Sequence, residues 1–261
     1  MNRARPIRID KPALRDLSAQ LAAGVRTELK KLGLNEREPI DDQILGSVIV
    51  EIPTVRGEME AIRIYVMSEL PPDVYSATFR KNTYEEKERI VEHQVNDTIV
   101  ARGSLSLDKD PEGFRNLMIF LNGVHTPRRI NAKGKLEDAL FSVLIHEATH
   151  GAEAQFLPRS PYKELPHDFS RQLSDEEQAE RFAYRQASYY NAPTELRAYG
   201  QQIADDVLSA TAKDPTTITD AILQEQIGRS RMWKRIAPYL TPESANLVYR
   251  MVWRTMVDRI E

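Results

Sequence analysis

Two histidines stand four residues apart around a glutamate in Leu144-Ile145-His146-Glu147-Ala148-Thr149-His150-Gly151. An α-helix turns about 100° per residue, so positions i and i+4 lie roughly 40° apart and both imidazoles leave the helix on nearly one line. Nitrogens so arranged can reach a single Zn²⁺ at about 2.0–2.1 Å. Glu147 then projects beside the metal, placed to take a proton from a water that the metal holds. These residue types point to metal-assisted hydrolysis. The competing reading is a chance spacing on a packed helix, where a histidine is ordinarily a hydrogen-bonded core residue.

The elements that must position this pair are visible around it. Leu136, Leu140, Phe141, Leu144, Ile145 and Ala148 form an apolar stripe at helical spacing, and Val143, His146, His150 and Glu153 mark a neighbouring face. Asn131 to Gly134 supply turn residues ahead of the helix, and Pro158 bars its continuation past Leu157. Ligands need a rigid backbone, and a mostly buried helix supplies one.

His146-Glu147-x-x-His150 followed by Gly151 resembles the zincin metallopeptidases. In that superfamily one helix gives two histidines and a later residue gives the third ligand. The metzincin continuation His-x-x-Gly-x-x-His is absent, because Gly151 follows directly and the next histidine is His167. The gluzincin branch, whose third ligand is a glutamate on a second helix, fits better. The resemblance spans residues 117–206. It implies a zinc-dependent peptidase with Glu147 as general base, His146 and His150 as ligands, and a peptide or protein as substrate. Together with the periodicities of the flanking segments, it leads us to expect an α+β, zincin-like fold: an N-terminal helix and a small mixed or antiparallel sheet over the active-site helix, with a C-terminal helical lobe.

The third donor has to come from another element. Pro193-Thr194-Glu195-Leu196-Arg197-Ala198-Tyr199 opens a helix, with Pro193 suited to its first turn. Glu195-x-x-Ala198 resembles the gluzincin third-ligand segment, where a small residue one turn on permits close packing. The chain departs from the family's Asn-Glu-x-x-x-Asp variant: Thr194 precedes the glutamate and Tyr199 takes the aspartate's place. The acid that would orient His146 therefore has no counterpart. Glu195 also reads as a first-turn residue serving the helix dipole. Tyr189, Tyr190 and Tyr199 are candidates for the phenol that donates to an oxyanion, and equally for packing residues with a wet hydroxyl.

The rest of the chain frames this site. With 261 residues it can form one large core or two lobes, and we divide it into 1–135, a helix plus β-rich lobe, and 136–261, the metal-site helix and helical lobe. A net charge of −3 gives no bulk reason to expect nucleic acid or an anionic membrane as partner. The absence of cysteine excludes disulfides and thiolate zinc sites. Met1–Asp10 is basic without a following hydrophobic stretch, and no apolar run approaches the roughly 20 residues of a membrane span. We expect a cytoplasmic protein, and the sequence leaves its oligomeric state open. A catalytically silent zincin-like protein with a structural or partner-binding role is the alternative.

Helical spacing of Leu14, Leu17, Leu21, Val25, Leu29 and Leu32 predicts a packing helix stopped by Gly33. Alternation in Val48–Ile52 and Ile62–Val66 around Gly57 predicts a hairpin. Val74–Phe79, Arg89–Val95 and Thr98–Leu107 read as β-rich, with Asn96-Asp97 as a turn. Leu117-Met-Ile-Phe-Leu121 reads as a strand, either bordering the cleft with an open edge or interior to the sheet. The Pro-rich loop 158–172 suggests a cleft wall or lid, and Ser174 to Glu177 is a capping box. His93 reads as an ordinary polar strand residue, His125 as a turn residue that could line a rim, and His167 as a loop residue that could supply a ligand or a proton donor. Helices are expected from Asp214-Pro215, with Ile218, Ala221, Ile222 and Ile227 inward, and from Leu240, with Trp233 and Trp253 packed among them.

Overall fold

The computed structural model describes residues 9–33, 40–53, 59–70, 101–123, 125–130, 134–154, 187–211 and 219–257. Among these residues the elements run α1 Lys11–Lys31, β1 Ile44–Pro53, β2 Met59–Glu69, β3 Ala101–Lys109, β4 Arg115–Asn122, α2 His125–Arg129, α3 Lys135–Ala154, α4 Pro193–Thr211, α5 Asp220–Arg229, α6 Arg231–Ile236, a 3₁₀ turn Ala237–Tyr239 and α7 Pro242–Val257. The class is α+β. The chain divides into two compact units, Met1–Ala152 and Glu153–Glu261. No helix among the described residues is long and apolar enough to cross a membrane.

In the first unit, the Asp10 carboxylate caps α1 by accepting from the Ala13 N–H at 3.1 Å, and Pro12 sits where a helix needs no donor. The helix ends at Gly33, whose φ of +64° a side chain would resist. Its inward residues Leu21, Ala22, Val25 and Leu29 belong to the same apolar cluster as the sheet.

The sheet has the order β1-β2-β4-β3. β1 and β2 form the expected antiparallel hairpin, with Val48 opposite Ile64 and Val50 opposite Ile62. β2 runs parallel to β4, and β4 antiparallel to β3, so the sheet is mixed. Side chains alternate across it: Ile62, Ile64, Val66, Leu117, Ile119 and Leu121 enter the core. The run Leu117–Leu121 is therefore interior, hydrogen-bonded on both sides, and has no open edge. A wholly apolar run seeks cover on both faces, and Phe120 on the far face lies under the Arg102 guanidinium, 4.3 Å from its ring centroid. Among the described residues the outer strands are β1 and β3.

The motif helix α3 buries Leu136, Leu140, Phe141, Leu144 and Ile145, the stripe that the sequence predicts. Its residues Leu136, Leu140, Val143 and Leu144 join the cluster under the sheet. The helix is thus built into the first unit, whereas the boundary read at 135/136 grouped it with the C-terminal part. Two arginines tie α1 to its N-terminal turn. Arg26 grips Glu137 bidentately at 2.6 and 2.9 Å and donates to the Ile130 carbonyl at 2.8 Å, while Arg15 meets Asp138 at 2.9 Å and lies over the Phe141 ring.

The second unit is helical. Leu196, Tyr199, Ile203 and Val207 of α4 form one cluster with Leu223, Ile227, Ile236, Val248, Val252 and Met256. Within the described residues α5 begins at Asp220, with the Thr219 hydroxyl accepting from the Ile222 N–H, and the expected start at Asp214-Pro215 lies outside them. Leu223 and Ile227, one turn apart, pack into the second unit's cluster, while Ala221 and Ile222 on other faces are exposed. Thr241 caps α7 by accepting from the Ser244 N–H at 3.2 Å. Trp233 packs against the cluster as expected, but Trp253 is exposed, because Val248, Val252 and Met256 occupy the buried line of α7. The stretches Val74–Phe79 and Arg89–Val95, the turn at 96–97, the loop 158–172 and the capping box 174–177 lie outside the described residues, as do His93 and His167.

Candidate metal centre

Helical pitch sets the first two donors. His146 and His150 lie one turn apart on α3 with their Nε2 atoms 3.0 Å apart and their rings at 82°. Two ring nitrogens this close need one proton or one cation between them, since facing lone pairs repel and facing N–H groups clash. His146 is buried and His150 half-buried. The intervening Thr149 satisfies itself within the helix, its hydroxyl donating to the Ile145 carbonyl at 2.8 Å.

Glu195 enters from the first turn of α4, which opens at Pro193. A carboxylate placed there only to serve the helix dipole would remain in water, yet Glu195 is 4 % exposed. Burial of an acid is costly unless hydrogen bonds or a cation compensate it. One ligand atom from each of His146, His150 and Glu195 lies within 4.8 Å of the other two. Two imidazole nitrogens and a carboxylate oxygen are donors that a metal ion can use. The group could hold a metal ion.

The three tyrosines divide in their surroundings. The Tyr189 hydroxyl hydrogen-bonds with Glu195 and with Tyr199. Although 37 % of the residue stays exposed, desolvation of the phenol, with Tyr199 and Glu195 adding, pushes its pKa far above the ordinary range. Burial likewise raises Tyr199, against the opposing effect of its bond to Tyr189, and Glu195 adds to the rise. Both phenols stay protonated at any physiological pH. Tyr190 is buried, stacks on Tyr239 at 5.3 Å and hydrogen-bonds with Arg235. Tyr189 is thus the candidate that touches the proposed third ligand, and the sequence had no means of choosing it.

Glu147 is 5 % exposed and lies against β3, where it fills the space beside Gly103. Gly103 was not singled out from the sequence. A glycine inside an alternating strand pattern is the signal that could have found it, because it marks a close approach. His125 begins the short helix α2. Comparison with known proteins found no matching family model, no matching curated protein and no matching solved structure.

Proposed function

We propose that this chain is a zinc-dependent metallopeptidase of zincin-like, gluzincin-type design. The observation that carries the reading is the grouping of two imidazoles and a buried carboxylate, with the motif acid Glu147 one residue from the first of them. His146, His150 and Glu195 would hold the ion. When bound, Zn²⁺ supplies Lewis acidity toward a water and toward the scissile carbonyl. Glu147 accepts the proton of the attacking water as the C–O bond forms, then delivers it to the amine as the C–N bond breaks. A peptide is the favoured substrate because β3, an outer strand among the described residues, passes beside Glu147, and an extended chain can pair with such an edge through main-chain hydrogen bonds.

One observation favours the alternative of a silent zincin-like scaffold: Glu147 is buried, as an acid kept for packing would be. The two readings part in one experiment. Purified protein is assayed for metal by mass spectrometry and for cleavage of fluorescein-labelled casein, with a chelator control, zinc re-addition, and Glu147→Gln as the blank. We expect one bound zinc and zinc-restored cleavage that Glu147→Gln lacks. Zinc-loaded protein that cuts no better than that variant would defeat the peptidase reading.

A further inference from the structure

Along the helix-facing side of β3 the residues are Ala101, Gly103 and Leu105. Ala101 and Leu105 pack against the apolar core of the first unit. Position 103, between them, has no side chain. A Cβ placed there would stand 2.5 Å from Oε1 and 2.7 Å from Cγ of Glu147, and 2.7 Å from Cγ1 of Val143. Carbon atoms in ordinary contact keep about 3.5–4.0 Å. The Glu147 carboxylate can turn aside, but its Cγ and the Val143 methyl lie closer to the helix backbone and have less freedom to move. Gly103 is paired with Ile119 of the interior strand β4, and Val143 and Glu147 are buried residues of α3.

Backbone conformation does not call for glycine here, since Gly103 is not among the residues with positive φ. A glycine in a strand otherwise weakens it by roughly 0.5–1 kcal/mol relative to alanine. Room is therefore the reason for its presence, and the group that uses the room is the acid of the motif. We propose that Gly103 is a positioning residue for Glu147: the missing side chain in β3 is the seat that fixes the carboxylate beside the ligand pair. The assignment rests on the metallopeptidase reading for its functional meaning, and on geometry alone for the contact.

Two measurements test it on the full-length protein. The first is a thermal double-mutant cycle that needs no activity. Gly103→Ala should lower the melting temperature by about 3–6 °C in the parent chain and by clearly less in a Glu147→Ala background, where the acid's share of the clash is gone and only that with Val143 remains. The second takes the casein-derived peptide that the parent cuts. There Gly103→Ala should lower kcat about 10- to 100-fold with KM and zinc content unchanged, the signature of a displaced proton carrier and not of a lost metal. Gly103→Ser, nearly as small, should fall in the same direction. Equal melting shifts in both backgrounds, or coupled shifts with kcat intact, would overturn the assignment. A parent chain that binds zinc but cuts nothing would refute the peptidase reading instead, and the thermal cycle would still decide the contact.

Discussion

The two compact units hold their chemical groups by different means. In the first, His146 and His150 owe their 3.0 Å separation to four residues of one helix, and that helix is locked under a sheet by Leu136, Leu140 and Leu144. In the second, Glu195 is held by its surroundings: a phenol hydrogen-bonds with it, and Tyr189, Tyr190, Tyr199 and Tyr239 pack edge-to-face or stacked at 5.2–6.5 Å between ring centroids. The first arrangement follows from helical pitch and survives most changes to neighbouring residues. The second depends on several side chains at once, so the carboxylate is the more easily disturbed donor.

Substitutions can break or sharpen that contrast. The largest effect belongs to the proposed ligands: His150→Ala should abolish stoichiometric zinc binding with helix content preserved, while Glu195→Gln, which leaves the imidazole pair, should weaken zinc more than about 100-fold without abolishing it. Competition with a chromophoric chelator reads both, and identical affinities for parent and Glu195→Gln would exclude the carboxylate as a ligand. Next comes the scaffold. Leu140 is fully buried, and Leu140→Ala should cost about 2–5 kcal/mol, seen as faster amide exchange across α3 and the sheet. Unchanged exchange there would show that the helix is not held as described.

A smaller effect is expected at Tyr189. Tyr189→Phe removes the hydroxyl that meets Glu195 but keeps the ring, and should weaken Co²⁺ or Zn²⁺ about tenfold with little change in melting temperature. An unaltered affinity would mean that packing alone places Glu195. The smallest effect concerns Glu137, whose carboxyl the Arg26 guanidinium holds below the usual range against the opposing effect of burial. Its folded pKa lies below the unfolded one, so the stabilisation is complete above the unfolded value and disappears as pH falls through the folded value. Glu137→Gln should therefore cost under about 1 kcal/mol at neutral pH, since both partners keep solvent contact, and nothing at strongly acid pH. A constant difference across that range, read by urea titration, would argue against the ion pair as its source.

Much of the local structure was legible in the residues. The stripe of α3, the Gly33 stop of α1 and the β1–β2 hairpin follow from periodicities of 3.6 and 2 and from residues with fixed conformational habits. Errors arose where the same pattern serves two environments. The apolar run Leu117–Leu121 fits a border strand or an interior one, and only pairing on both sides makes it interior. Ala221 and Ile222 are apolar enough for an inward face, but packing turns Leu223 and Ile227 inward instead, and Trp253 is apolar enough to bury yet sits off the line occupied by Val248 and Val252.

The sequence by itself determined the spacing of the two imidazoles and the acid between them, because helical pitch is a property of neighbouring residues. Only the tertiary structure decided that Glu195 is buried, that Tyr189 is the phenol at its side, and that Gly103 leaves room that Glu147 fills. Gly103 and Glu147 lie on segments tens of residues apart, and the burial of Glu195 depends on side chains of other elements. Both depend on how closely packed surfaces interlock, which no periodicity in the chain encodes.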